Sequence, residues 1–478
     1  MECTFDERKK ELEAECVVKP SFFENCLDRL KVFMKPFVQS MNRFDQRDHA
    51  ETFVSGLCSD LESKNAESIA YHFDLDRKTM QYFIGQSQWA DLPLRKQLVT
   101  QVAEQLGEAN GVLILDPSAF PKSGSESVGV ARQWCGRLGK VDNCQVGLYL
   151  AYASSKGHAL VDGELYLPKE WTNNKKRMKK AGIPKNKQQY KTRHETFIEM
   201  LKLHGPELPH EWITGDDELG RPIEFRRKLH RMGEKYLLAV PNNTKINVLS
   251  PETEEQCVPS VLSSVQISKW VASQENDKWQ RIDVRDTEKG PLIIELVTCA
   301  VETGHRNKAG IAEEIAVAIR YIDRDRKVIK QDYYMSNADR MTSATEFARV
   351  AKAEHRIEEC FDRGKGEAGM GDYEVRNWIG WHHHQTLSFI ASWFLNVETR
   401  QAEKKSTSHN LQPSPRGSCI DHPNGTRMRF TPRRLGTHNQ AIDTKSAREA
   451  LSLENAQTFA TKELKSTKNL VQSNYNEW

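Results

Sequence analysis

The spacing of apolar residues changes along the chain, and each change predicts a change of architecture. From residue 1 to about 108 Gly and Pro are few, and apolar positions such as Phe53, Leu57, Leu61, Ile69 and Phe73 recur at helical spacing. This predicts an all-helical N-terminal domain. Within it, 67–84 reads as a helix, a turn near Asp74 to Asp76, and a second helix that would offer Arg77, Lys78 and Gln81 to a DNA major groove. The plainer alternative is a helical hairpin. From about 109 to 235 short apolar runs, including Val112 to Leu115 and Val146 to Tyr152, are broken by Gly and Ser and predict a mixed sheet. Between 236 and 340 the alternation is strand-like, at 269–273, 279–284, 292–297 and 328–335, which predicts a mostly β segment. Helical spacing returns over 341–398, with Phe347, Val350, Ala351, Ile357 and Phe361 forming one stripe and Leu387, Ile390 and Phe394 another.

Three acids sit where a carboxylate is hard to explain by solubility alone. Asp116 ends the run Val112 to Leu115, Asp216 follows Trp212 to Gly215, and Glu358 lies at the edge of the first helical stripe, about 60° from Phe361 at roughly 100° per residue. Two strand ends and one helix can converge. Carboxylates brought together repel one another unless divalent cations neutralise them, and oxygen ligands with open positions suit Mg2+ or Mn2+. Two such ions activate water or a 3'-hydroxyl for in-line attack on a phosphodiester. Glu359 points away, while Lys365, close to two turns beyond Glu358, shares its face and could hold a phosphate there. Taken alone, a Glu-Glu pair on a helix is most simply a solvated surface.

Charge adds a second feature. The net charge of +3 over 478 residues says little, but 172–193 holds Lys175, Lys176, Arg177, Lys179, Lys180, Lys185, Lys187, Lys191 and Arg193 with no acid among them. A stretch of one sign repels itself on a free surface and is neutralised by phosphates. Residues 400–478 carry thirteen Lys or Arg against seven Asp or Glu, a net +6, with many Ser, Asn and Thr. That tail, counted from 399, is expected to be disordered or to contact DNA. No apolar run approaches the length of a membrane span, and the first residues lack the order of a signal peptide, so a cytoplasmic protein is expected. Ten cysteines occur singly, without Cys-x-x-Cys, and are expected as reduced thiols rather than zinc ligands. His382, His383 and His384 point about 100° apart on a helix, which favours core packing over joint grip of a metal, and Trp378 and Trp381 are expected in the core.

Longer words resemble a known family. Asp116 to Gly124, the string Val128 to Gly147, Leu165 to Trp171, Trp212 to Asp216, Tyr236 to Pro241, Ile357 to Phe361 with Lys365, and Tyr373 to His384 are similar to bacterial insertion-sequence DDE transposases, closest to the insertion-sequence 701 family. The resemblance runs from about 43 to about 398. It implies an α/β protein with a ribonuclease H-like catalytic core, formed by 109–235 and 341–398 and interrupted by a mostly β insertion subdomain at 236–340 that folds over it. The domain 1–108 would bind DNA.

It also implies a chemistry. Asp116 would bridge two Mg2+ ions, with Asp216 and Glu358 holding one each and Mn2+ able to substitute. The reaction would be cut-and-paste transposition at terminal inverted repeats, acting on double-stranded DNA as a homodimer, in a bacterial cytoplasm at the nucleoid. Candidate DNA contacts are Lys122 and Arg132 in the first words, Lys365 beside the third acid, Lys179, Lys180, Lys185 and Lys187 in the basic run, and Arg77, Lys78 and Gln81. Two departures stand out. After the first Asp the family has an acid, then Thr or Ser, then Gly, where Pro117, Ser118 and Ala119 stand here, and Glu354 stands where a basic residue usually lies, with Arg356 nearby. A purely hydrolytic nuclease and an inactive or domesticated DNA-binding protein therefore stay open as alternatives.

Overall fold

The computed structural model describes residues 25–249, 261–287, 290–302, 313–323, 327–407, 418–421 and 427–430. Most of the basic tail falls outside them; of its described residues, 399–407 end a long helix and Ser418–Asp421 pairs antiparallel with Arg427–Phe430, so these parts are ordered rather than disordered. Among the described residues five helices come first: α1 (Cys26–Val38), α2 (Phe44–Leu57), α3 (Ala66–His72), α4 (Arg77–Gly85) and α5 (Leu92–Leu106). The helix, turn and helix read over 67–84 are α3 and α4, and local chemistry sets their ends. Asn65 accepts from the backbone N–H of Glu67 and Ser68, Asp76 accepts from those of Lys78 and Thr79, and Asp74 takes the left-handed conformation (φ 55°) between them.

A large mixed sheet follows. Its strands are β1 (Val112–Pro121), β2 (Ala131–Cys135), β3 (Lys140–Ser154), β4 (Gly157–Leu165), β5 (Trp212–Gly215), β6 (Lys235–Ala239), β7 (Lys245–Leu249), β8 (Val261–Gln266), β9 (Gln280–Thr287), β10 (Gly290–Glu302), β11 (Glu314–Ile322) and β12 (Val328–Ser336). The order is β2-β3-β1-β5-β6-β12-β11-β10-β7-β8, with β4 also on β3. β3 runs antiparallel to β1, whereas β5 and β6 run parallel to it. β12 pairs antiparallel with β6. The mostly β segment therefore continues the same sheet outward instead of lying over it. It also has an apolar cluster of its own around Ile246, Ile267, Trp270, Val301 and Met335.

One predicted strand is a helix. Residues 269–273 fall in or at the end of α11 (Ile267–Ala272), because Ile267, Trp270 and Val271 at helical spacing all turn into that cluster. Between β4 and β6 lie α6 (Lys169–Thr172), α7 (Lys175–Lys180), α8 (Arg193–His204), α9 (Asp217–Gly220) and α10 (Ile223–Arg231). Two long helices, α12 (Ala344–Glu367) and α13 (Trp378–Thr407), close the described core.

α13 is the shared spine. It packs on β4 and also on α2 and α4, so the N-terminal helices and the sheet share one apolar interior. His382, His383 and His384 are buried in it and hydrogen-bond to main-chain carbonyls. His383 reaches those of Ile84 and Trp89 at 2.9 Å each, and its ring stacks on Trp89. Trp378 and Trp381 are core residues. A buried charge cluster makes a second tie: Arg95 of α5 pairs with Asp162 and Glu164 of β4 and with Asp91. Of the described cysteines, Cys26, Cys58, Cys135, Cys144, Cys299 and Cys360 are free thiols, all but Cys299 buried. No described helix is long and apolar enough to cross a membrane.

Candidate active site

The register of two parallel strands sets the centre of the site. β1 and β5 pair from Val112 with Trp212 to Leu115 with Gly215, so the next residue on each chain is an acid, Asp116 beside Asp216. Neighbouring strands lie about 4.8 Å apart. Gly215 permits the approach: a Cβ there would stand 2.8 Å from the Leu115 carbonyl oxygen and 2.6 Å from Leu219 Cδ1. Asp216 then caps α9, its Oδ1 accepting from the Leu219 N–H at 3.2 Å.

α12 lies across these strands. Phe361 meets Tyr149, the β3 partner of Asp116, with ring centroids 5.2 Å apart. Glu358 stands one turn before Phe361 on the solvent edge, 62% exposed, with its Oε2 3.8 Å from His355 Nδ1. Glu359 turns away to pair with Arg356 at 2.6 Å. Arg356 is thus held on the far side of the helix and does not fill the place of the missing basic residue.

Lys365 reaches the other way. Its Nζ donates to Ser118 Oγ at 2.8 Å and lies 5.4 Å from the centre of the Phe120 ring. Ser118 and Phe120 share a strand face with Asp116, so α12 and β1 are bonded two residues past the first acid.

Electrostatics mark these groups as a set. Burial, then Asp216, Glu358 and Glu354, hold the Asp116 carboxyl well above the usual range. Asp216 is pushed up to about 6, by burial first and then by Glu218. Glu354, one turn before Glu358, is pushed up to about 8 by burial, then by Asp332 and Asp216, and lines one pocket with Tyr334 of β12. Burial and the charge of Arg137 push Lys365 down. Ser118 has no sequence signal of its own, and the setting of Glu354 none beyond a departure from the family word. Helical spacing from Glu358 places Glu354 on the right face, but its neighbours come from β12.

The other candidate residues are spread over several surfaces. Lys122 is drawn inward, its Nζ donating to the Tyr373 carbonyl at 3.2 Å and lying 3.7 Å from that ring, with its pKa lowered to about 8 by burial. Arg132 is exposed on β2. Lys179 and Lys180 lie on α7, and Lys185 and Lys187 in the turn after it. Lys180 pairs with Glu126 at 2.5 Å and Lys187 with Glu164 at 3.1 Å. On α4 Met80, Phe83 and Ile84 turn inward and Arg77, Lys78 and Gln81 outward, with Arg77 paired to Glu67 at 2.8 Å.

Among the described residues no group of three or more His, Cys, Asp or Glu side chains is already drawn together tightly enough to hold a metal ion. The arrangement offers two adjacent carboxylates, a third on an exposed helix edge and an ammonium alongside.

Residues 36–291 match the family described as DDE superfamily endonuclease, a stretch that includes Asp116 and Asp216 but ends before Glu358. A protein of Microchaete diplosiphon, "Probable transposase for insertion sequence element IS701", is 27% identical over 199 residues, covering 41% of this chain and 49% of that protein. The chain thus spans about half the length of that curated relative. A piggyBac transposase synaptic complex with hairpin DNA is similar in structure at a TM-score of 0.35 and 10% identity, over 83% of this chain and 77% of that one.

Proposed function

The chain belongs to the DDE superfamily of endonucleases, and we propose that it is a cut-and-paste transposase that cleaves DNA at the terminal inverted repeats of an insertion sequence and joins the ends to target DNA. The observation that carries this reading is the register pair Asp116 and Asp216, side by side under the helix that bears Glu358. The order β4-β3-β1-β5-β6, antiparallel on one side of β1 and parallel on the other, supports a ribonuclease H-like core.

The donor set fits a hard divalent cation. All three groups are carboxylates, and their crowding with Glu354 keeps Asp116 hard to ionise until positive charge is supplied. Asp116, Asp216 and Glu358 would hold two Mg2+ ions, with Mn2+ as a substitute. Bound there, the ions supply charge neutralisation and a nucleophile active at neutral pH. The chain's own groups position the strand. Lys365 presents an ammonium next to the first acid, suited to a phosphate oxygen, and its bond to Ser118 fixes the distance between β1 and α12.

Around this centre, 1–108 would recognise the element's end and the cationic run on and after α7 would follow the phosphate backbone. The segment 236–340 would form the insertion. Two transposon ends handled together call for a homodimer.

The test is cleavage of end DNA in Mg2+. Asp116→Ala, Asp216→Ala and Glu358→Ala should each lower nicking by more than about 100-fold, since even groups that only orient metal ligands are worth about 10- to 100-fold. DNA binding should persist. Asp217→Ala and Glu359→Ala are the neighbour controls and should keep most activity. Nicking by the wild type without joining of a precut end would make the protein a hydrolytic nuclease. Binding without nicking in either metal would make it a DNA-binding protein only.

A further inference from the structure

Two helices from different parts of the chain end on one side chain. Lys64 lies in the link between α2 and α3 and is buried, 4% exposed. Its Nζ donates to the carbonyl of Leu57, the last residue of α2, at 2.9 Å, and also to that of Glu367, the last residue of α12. The final carbonyls of a helix have no partner within it and carry the negative end of its dipole, so one ammonium between two such ends serves both. The chain leaving α12 is tied to the same place. Lys64 N–H donates to Asp372 Oδ2 at 2.9 Å, and Asn65 Nδ2 donates to Glu374 Oε1 at 3.2 Å.

α12 does not need Lys64 in order to stop. Gly369 takes the left-handed conformation (φ 60°), and Met370 N–H donates to the Gly364 carbonyl at 2.9 Å, which closes the helix by itself. What the lysine adds is the position of that end relative to α2. The fit is close: a Cβ on Gly369 would stand 2.6 Å from Lys64 Cβ and 3.0 Å from Leu57 Cδ2. In the same last turn of α12 lies Lys365, whose Nζ holds Ser118 on the strand that carries Asp116. The turn that the helical domain fixes is therefore the turn that grips β1 beside the first acid.

We propose that Lys64 is a positioning residue for DNA cleavage: acting from the helical domain, it sets the last turn of α12 and so the place from which Lys365 reaches β1. This rests on the transposase reading. Burying an ammonium forfeits hydration and side-chain freedom, and helix termination alone does not require that cost. A displacement of about 1 Å in a reacting set, caused by a residue far from the chemistry, lowers a rate by on the order of 100-fold. Asn65, the next residue, is the N-cap of α3. The helices proposed to read the element's end and the helix that bears the third acid thus share one anchor.

The experiment is a double-mutant cycle on the full chain, read as single-turnover nicking of end DNA in Mg2+ with the Kd for the same duplex measured alongside. Lys64→Met should lower the nicking rate by about 10- to 100-fold and leave Kd within about twofold. In a Lys365→Met background the same substitution should cost less than about threefold, because the contact it positions is already gone. Thermal melts show whether each variant is folded at the assay temperature. Where Lys64→Met is not, Asp372→Asn takes its place in the cycle: it keeps the shape and weakens the hold on the Lys64 main chain, and should show the same non-additivity at smaller size. Equal losses in the two backgrounds overturn the proposal, as does a wild-type rate for the folded variant or a rate loss matched by a loss of binding; the lysine then only stabilises the fold. A wild-type protein that does not nick end DNA removes the transposase reading and this proposal with it, an outcome distinct from a wild type that nicks and a Lys64→Met that nicks equally well.

Discussion

Lys365 Nζ donates to Ser118 Oγ at 2.8 Å, so the helix carrying Glu358 is fastened to the strand carrying Asp116 by one hydrogen bond a short way from both acids. Replacing Lys365 with Met removes that bond and the ammonium while keeping the apolar stem on Phe120 and Phe361. Cleavage should fall by roughly 10- to 100-fold, the scale of groups that orient a reacting set. Lys365→Arg should recover part of it by charge alone. A single-turnover assay on precut and uncut ends measures both, and wild-type rates for Lys365→Met would remove the lysine from the site.

The raised carboxyls give a pH dependence of definite sign. Glu354 has its folded pKa raised from 4.5 to about 8, so between those values the folded chain binds more protons than the unfolded one and stability falls as pH rises. Buried His383 and His384, lowered to about 4, act in the opposite sense below pH 6.5. The comparison is therefore with Glu354→Gln. That variant should melt with the wild type at pH 5 and above it at pH 8 by roughly 2–4 °C, the response of a large domain to about 1 kcal/mol. Saturating Mg2+ should narrow the gap. Identical melting curves at pH 8 would mean that Glu354 ionises without penalty.

Phosphate contact by the basic run is read from salt. Removing Lys179, Lys180, Lys185 and Lys187 together should flatten the dependence of log K on log salt by up to about 3.6, at about 0.9 for each contact, on all DNA sequences alike. Because Lys180 and Lys187 already pair with Glu126 and Glu164, Lys179→Ala with Lys185→Ala should account for most of the change. An unchanged slope would show a solvated face.

Sequence reading by α4 makes a separate prediction. Gln81→Ala or Arg77→Ala should cost about 1 to 3 kcal/mol at one position of the cognate end and little on scrambled DNA. Ile69→Ala should instead lower the melting temperature through lost packing, since Ile69 is fully buried. Equal effects of Gln81→Ala on cognate and scrambled DNA would place recognition elsewhere.

The strand ends were legible because an apolar run that stops at an acid is a local signal, and both Asp116 and Asp216 end such runs. Their pairing was not. Register depends on hydrogen bonds between segments about a hundred residues apart, and no local pattern states that Leu115 lies opposite Gly215. The helices α3 and α4 were visible in their caps and spacing, whereas 269–273 misled because a six-residue helix with three apolar positions looks like a short buried strand. In the sequence Glu354 registers only as an acid where the family has a cation. Its burial against Tyr334 and Asp332 arises only once β12 has joined β6.

The placement of β12 beside β6 also has a consequence for how the chain is made. Glu358 lies 142 residues after Asp216, and every strand from β7 to β12 is synthesised in between. At bacterial and eukaryotic elongation speeds that interval is roughly 7 to 28 s. A nascent chain that has already paired β1 with β5 is therefore still without Glu358, so on the proposed reading the three carboxylates come together only after α12 has left the ribosome.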